Sequence, residues 1–289
     1  MGVGVQVPPR TPRDERPLGE TAVVSTSESL LDTFPGRLFI DQLRFLHRHT
    51  GVSPAAFVGA LGPEDLIRVA THAVGSYLYG DCLAVAQLDA NDMAELQEFD
   101  AAGLAALSAL STFGSPQIHQ GTLTALRAPQ IGNRDPLCAL PSGALWTSTP
   151  ITGDEDSWTL CGENLRRESP RWEVHFDTTR VRVARVDSAR DWIELIEANP
   201  VTARGCRYPE WPAIAASWDA IHVSPTGLLL AHPTISTTPF TTTDGSGLAH
   251  SQAGPYASVA PWSAVSTAWL HQPPDAELRS VVSGLAAGS

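Results

Sequence analysis

Residues 143–150, GALWTSTP, run a small-residue turn into two large apolar side chains and then place Thr147, Ser148 and Thr149 where a buried strand would continue with Val or Ile. Three short hydroxyls in succession can hold a polar ligand in a tight cleft, because each donates one proton and accepts others. The structural alternative is a Thr-rich edge strand, which β propensity by itself favours. Arg127, in LTALRAP (123–129), is a charge set in a short apolar run. Its planar, permanently charged guanidinium suits phosphate or ribose oxygens, whereas at a sheet edge it would only snorkel. Other groupings carry less. His47 and His49 of HRH lie two apart on a predicted helix, so they point to different faces and do not form a chelating pair. Asp244, Ser246 and His250 share the stretch DGSGLAH, but the G-x-S-x-G elbow is absent and triads are assembled by folds, not by adjacency. His222 in DAIHVS alternates with Ile221 and Val223, a core or cleft-lining position. Cys82, Cys138, Cys161 and Cys206 are 23 to 56 residues apart, which argues against a zinc knuckle or a disulfide scaffold, and no metal site is expected.

The chain that must position these groups has 289 residues, is 43% apolar and has a mean hydropathy of −0.06. That describes a soluble globular protein with ample surface to bury. No stretch approaches the ~20 apolar residues of a membrane span. The opening MGVGVQVPPRTPRDERP has prolines and charges where a signal peptide needs an apolar core, so the expected compartment is the cytoplasm, with non-classical export as the alternative. All 19 basic residues are arginine and the net charge is −12. Non-specific association with a nucleic-acid backbone is therefore disfavoured.

Composition divides the chain into a flexible arm over 1–29, an α-helical region over 30–118 and an α+β domain over 119–289. The arm mixes Pro, Arg, Ser and Thr without periodicity. From Leu38 to Phe113 the pattern is helical, with SPAAFVGALG and GPEDLIRVATHAVGSYL each placing a proline at a helix start. All eight tryptophans lie after residue 145, together with the best strands. They are expected as core mass first and as stacking surfaces second. RWEVHF and VRVARVD read as a hairpin or closely paired strands across DTT. SARDWIELIEAN reads as a Ser-capped helix with Trp192, Ile193, Leu195 and Ile196 on one stripe. GDEDSW is an acidic turn expected to cap a helix through Asp154 or Asp156. PEWPAIAASW reads as a short helix, DAIHVS as a strand, PTG as a turn, TTTDGSGLAHSQAGPYAS as a loop and WSAVSTAWLH as the closing strand.

Three stretches, LTALRAP (123–129), GALWTSTP (143–150) and PWSAVSTAWL (261–270), stand in the order and rough spacing of the motifs of ADP-ribosyltransferases with an Arg, Ser-Thr-Ser, Glu signature. Residues 121 to 272 also resemble a family of actinobacterial proteins with GLWTST and W..ESTLWL motifs, through GALWTSTP, RVARVDSARDWIELI, SWDAIHVSPTG and WSAVSTAWL. The resemblance implies a split domain of two small packed sheets with a cleft between them, NAD as the bound substrate, and a macromolecular acceptor or protein partner. Arg127 would then fork onto the dinucleotide's phosphate or ribose oxygens. Thr147, Ser148 and Thr149 would hold the nicotinamide half and orient the catalytic acid, with Trp146 as an apolar wall. The family's glutamate stabilises the oxocarbenium-like transition state as nicotinamide leaves, which requires an ionised carboxylate. The matching residue here is Val265. Asp244 and Glu277 are the carboxylates that flanking segments could bring in. The resemblance thus implies an NAD-linked mono-ADP-ribosyltransferase, catalytically degenerate if no acid replaces the glutamate. The alternative is a non-enzymatic structural or protein-interaction module on the same fold.

Overall fold

The computed structural model describes residues 28–78, 92–110, 112–152, 155–161, 169–235 and 256–281. It begins with a helical layer. α1 (Phe34–His47), α2 (Pro54–Ala60), α3 (Pro63–Leu78) and α4 (Met93–Ser108) follow a single 3-10 turn at Leu30–Asp32. Thr33 caps α1 by accepting from the Gly36 amide, and Ser53 caps α2 by accepting from Ala56. Pro35 and Pro54 occupy first-turn positions where a missing N–H costs nothing. Gly36 is required by contact: a Cβ there would lie 2.0 Å from the Leu30 carbonyl oxygen. Asp100 of α4 accepts from Ser29 Oγ and the Leu30 amide, both at 2.7 Å, and so ties the start of the layer to its last helix.

Seven strands then form one sheet: β1 (Gln117–Gln120), β2 (Leu145–Ser148), β5 (Arg171–His175), β6 (Val183–Val186), β9 (Ala220–Val223), β10 (Ser266–Trp269) and β11 (Glu277–Val281). Their order is β11-β5-β1-β2-β10-β9-β6, antiparallel throughout except for the parallel pair β6 and β9. The expected pair of small packed sheets takes a different form here. β10 lies between β2 and β9 and pairs with both along its whole length, so the strands make a continuous surface. Two short ribbons accompany it, β3 (Pro150–Thr152) with β4 (Glu155–Asp156), and β7 (Pro200–Ala203) with β8 (Cys206–Pro209).

The remaining helices are α5 (Ser157–Leu160), α6 (Ala189–Ala198), α7 (Trp211–Ala215) and α8 (Pro225–Leu230). Every residue of α8 is buried, and it packs against α1, α3, α4 and α6. A helix apolar on all sides belongs inside the protein. Here it is the point where the helical layer meets the sheet: Thr33 Oγ donates to the Leu229 carbonyl at 2.7 Å, and a Cβ on Gly227 would lie 1.8 Å from the Val186 carbonyl oxygen. One core cluster accordingly runs from Phe39 and Leu43 of α1 through Leu228 and Leu229 to Ile221 and Val265. A smaller cluster, Val174, Phe176, Ala220 and Trp269 with Phe113 and Leu145 packed on it, covers the opposite face.

Several sequence expectations are corrected. Residues 123–129 form no strand; the strand preceding β2 is β1, which begins inside the stretch expected to be helical. RWEVHF and VRVARVD do not pair, because β5 joins β1 and β11 while β6 joins β9 at the other end of the sheet. PTG opens α8 under a Ser224 cap, and β11 follows the strand expected to close the chain. Residues 1–27, Cys82, Asp154, Asp244, Ser246 and His250 lie outside the described residues. No helix among the described residues is long and apolar enough to cross a membrane. Because Thr33 both caps α1 and holds α8, Thr33→Val should lower unfolding stability by about 2 kcal/mol. Urea denaturation checks this; an unchanged midpoint would show that the layer is anchored elsewhere.

Candidate functional site

The hydroxyls of Thr147, Ser148 and Thr149 are buried at 0%, 0% and 4% exposure. β2 is a central strand covered on both faces, so each hydroxyl has to find a partner within the protein. Thr147 Oγ1 donates to Gln117 Oε1 and accepts from Trp269 Nε1. Gln117 Nε2 donates to Thr267 Oγ1 at 2.9 Å, Thr267 meets His222 Nδ1 at 3.0 Å, and His222 Nε2 meets Thr112 Oγ1 at 2.8 Å. Ser148 and Thr149 donate to the Ile118 and Thr112 carbonyls. The expectation that these three face a ligand is therefore corrected: they satisfy one another's neighbours within the sheet. Burial holds the pKa of His222 down at about 3, with Arg185 adding to the fall and Asp187 opposing it. Burial likewise holds His232 at about 4.

Arg127 is exposed on irregular chain in the loop between β1 and β2, and makes no hydrogen bond or ion pair among the described residues. Val265 is fully buried in the main core, with its carbonyl accepting from the Ser157 hydroxyl. Glu277 lies on the edge strand β11, exposed and paired with Arg279. His47 is engaged by the Val52 carbonyl and packs edge-on to Phe57 and Phe99. Among the described residues no cluster of His, Cys, Asp or Glu could hold a metal ion.

Trp146 is the expected site residue that does line a pocket. This cavity of about 300 Å³ opens where β1 ends and β2 begins. β1 contributes His119 and Gln120, β2 contributes Leu145 and Trp146, α5 contributes Trp158, and the chain entering β10 contributes Pro261, Trp262 and Ser263. The loop between β1 and β2 closes it with Arg134, Leu140 and Ala144. That loop folds back on itself through the paired residues Gly132 and Ser142. Gly143 makes the return possible, with φ +77° and space for no Cβ, which would lie 2.1 Å from the Gln130 carbonyl oxygen. Trp146 and Trp262 meet edge to face at 4.8 Å, and Trp262 Nε1 donates to the Ala139 carbonyl. Ser263 holds a left-handed backbone at φ +54°, a strained conformation for a residue with a Cβ, on the pocket wall. His119 Nδ1 lies 2.8 Å from the Trp146 carbonyl, which can only accept, so the proton is on Nδ1.

Behind the pocket sits Asp156, at 0% exposure. It caps α5 by accepting from the Trp158 and Thr159 amides, and it pairs with Arg171 Nη2 at 2.8 Å. Gln120 Nε2 lies 3.2 and 3.0 Å from its two oxygens. One carboxylate thus fixes residues from β1, β5 and α5 around a single cavity. The acidic turn was legible as a cap in the sequence. The pocket partners His119, Gln120, Arg134, Trp158 and Trp262 were not: no spacing rule joins residues contributed by four separate segments. No protein-family model, curated protein or solved structure matches the chain.

Two outcomes follow from this geometry. Val265→Glu places an unpaired carboxylate in the core, and should cost about 3–5 kcal/mol of stability rather than supply a catalytic acid. Urea unfolding and nicotinamide release measured together would test it; turnover from a fully stable variant would contradict the burial. The second concerns pH. His222 has its ordinary value of 6.5 in the unfolded chain and about 3 when folded. Above pH 6.5 both states are neutral. As pH falls from there toward 3 the unfolded chain binds the proton first, so stability declines. His222→Gln should show a shallower decline over this window, read as the pH dependence of the unfolding free energy.

Proposed function

We propose that the chain is an ADP-ribosyltransferase-like protein that binds NAD in the tryptophan-walled pocket and lacks the family's catalytic carboxylate. The observation that carries this reading is convergence: Trp146 of GALWTSTP and Trp262 of PWSAVSTAWL, 116 positions apart in the sequence, meet edge to face in one cavity wall. Aromatic walls suit a planar ring such as nicotinamide or adenine. Arg134 stands at the rim without an ion-pair partner among the described residues and is available to a pyrophosphate. His119 supplies a polar side chain from the strand next to β2.

Loss of catalysis is supported by two positions among the described residues. Val265 has no carboxylate. Asp156 has one, but it is fully buried and already accepts from four partners. A reaction that develops positive charge on a ribose needs an ionised group able to face that charge. The reading is therefore a ligand-binding or regulatory domain. A second reading, a protein-interaction module, is favoured by the exposed side chains Phe45 (58%), Leu46 (46%) and Val52 (48%) around the end of α1.

Calorimetric titration with NAD separates them. The wild type and Arg127→Ala should bind alike, Arg134→Ala should weaken binding about tenfold, and Trp146→Ala should weaken it at least as much. Nicotinamide release should stay at background. A wild type that binds no NAD would leave the interaction module as the surviving reading.

A further inference from the structure

We infer that Gln120 is the pocket's selectivity residue, a hydrogen-bond acceptor locked in one orientation that admits ligands carrying an aromatic primary amide and disfavours the corresponding acid. The inference deepens the NAD reading, and rests on it for the identity of the ring. Its starting point is the Asp156 carboxylate. Asp156 Oδ1 accepts from the Trp158 and Thr159 amides at 2.9 and 3.1 Å, and Oδ2 accepts from Arg171 at 2.8 Å. Both oxygens are thus already engaged by donors, and a carboxylate only accepts. The side-chain amide of Gln120 can therefore approach it in one sense alone, with Nε2 toward the carboxylate at 3.0 and 3.2 Å. The reversed amide would set its oxygen against two anionic oxygens.

Gln120 is 6% exposed and lines the pocket. Its Oε1 accepts from no protein donor among the described residues, yet it is not among the buried polar atoms left unpaired, so it meets the cavity. A ligand ring against Trp146, Trp158 and Trp262 is thereby offered a fixed acceptor in a half-open cavity. A carboxamide satisfies it with an N–H. A carboxylate would bring lone pairs against lone pairs and leave the 6% exposed Gln120 oxygen without a donor. Asp156 and Arg171 act here as positioning residues: neither lines the pocket, and together they determine which end of the Gln120 amide faces it.

The experiment compares amide with acid for two ligand sizes, NAD against its deamidated form and benzamide against benzoate, by calorimetry and quenching of tryptophan fluorescence. The wild type should favour the amide about tenfold or more in each pair. Gln120→Met, which keeps the volume and removes the acceptor, should bring each ratio to within about threefold. Asp156→Asn frees the Gln120 amide to turn, and should lower the ratio even if the variant is less stable, because loss of stability alone changes both affinities together. If NAD does not bind but benzamide is preferred to benzoate, the NAD reading falls and the Gln120 assignment stands. Equal binding of amide and acid by the wild type, an undiminished ratio in Gln120→Met, or binding of neither ring would overturn it.

Discussion

Burial of β2 on both faces is the constraint from which most of this structure follows. A strand with β1 on one side and β10 on the other, and apolar layers above and below, cannot leave a hydroxyl unpaired without a cost of about 1–3 kcal/mol. Thr147, Gln117, Thr267, His222 and Thr112 answer that demand as one chain of contacts across four strands and the segment beside them. Such a chain also fixes register. A slip of one residue between β2 and β10 would put the hydroxyls of Thr147 and Thr267 on opposite faces and break the chain that joins Gln117 to both.

With the middle of the sheet closed, the cavity walled by Trp146 lies at the strand ends. There the constraint changes from pairing to positioning. Asp156 is too buried to meet a ligand itself, but it holds the Gln120 amide, the Arg171 guanidinium and the first turn of α5 in one arrangement. Saturated carboxylates of this kind give rigidity, not chemistry. Val265, at the position where a catalytic acid would be sought, is enclosed by the same core that supports β10.

The helical layer contributes to the pocket from behind. α3 packs against α5, which carries Trp158, and against the short 3-10 turn at Ala260–Trp262. The layer is in turn pinned to the sheet through the fully buried α8, where Gly36 and Gly227 permit backbone approaches that a single Cβ would prevent. The helices and the pocket wall are therefore parts of one packed body with a continuous core.

The sequence by itself determined the elements whose signals are local. Proline at the first turn announced α2 and α3, a Ser cap announced α6, the stripe of Trp192, Leu195 and Ile196 announced the buried face of α6, and the acidic turn announced the Asp156 cap. The run WTST was legible as a strand for the same reason. Which strands pair was decided only in three dimensions, since β6 finds β9 across two intervening helices and a ribbon while its sequence neighbour β5 joins the far half of the sheet. The same holds for what the side chains do. A hydroxyl or an arginine carries its chemistry in its type, but whether it meets a ligand, a neighbour or water depends on burial. The tertiary structure gave Thr147 to Gln117, left Arg127 in solvent, and brought Trp146 together with Trp262.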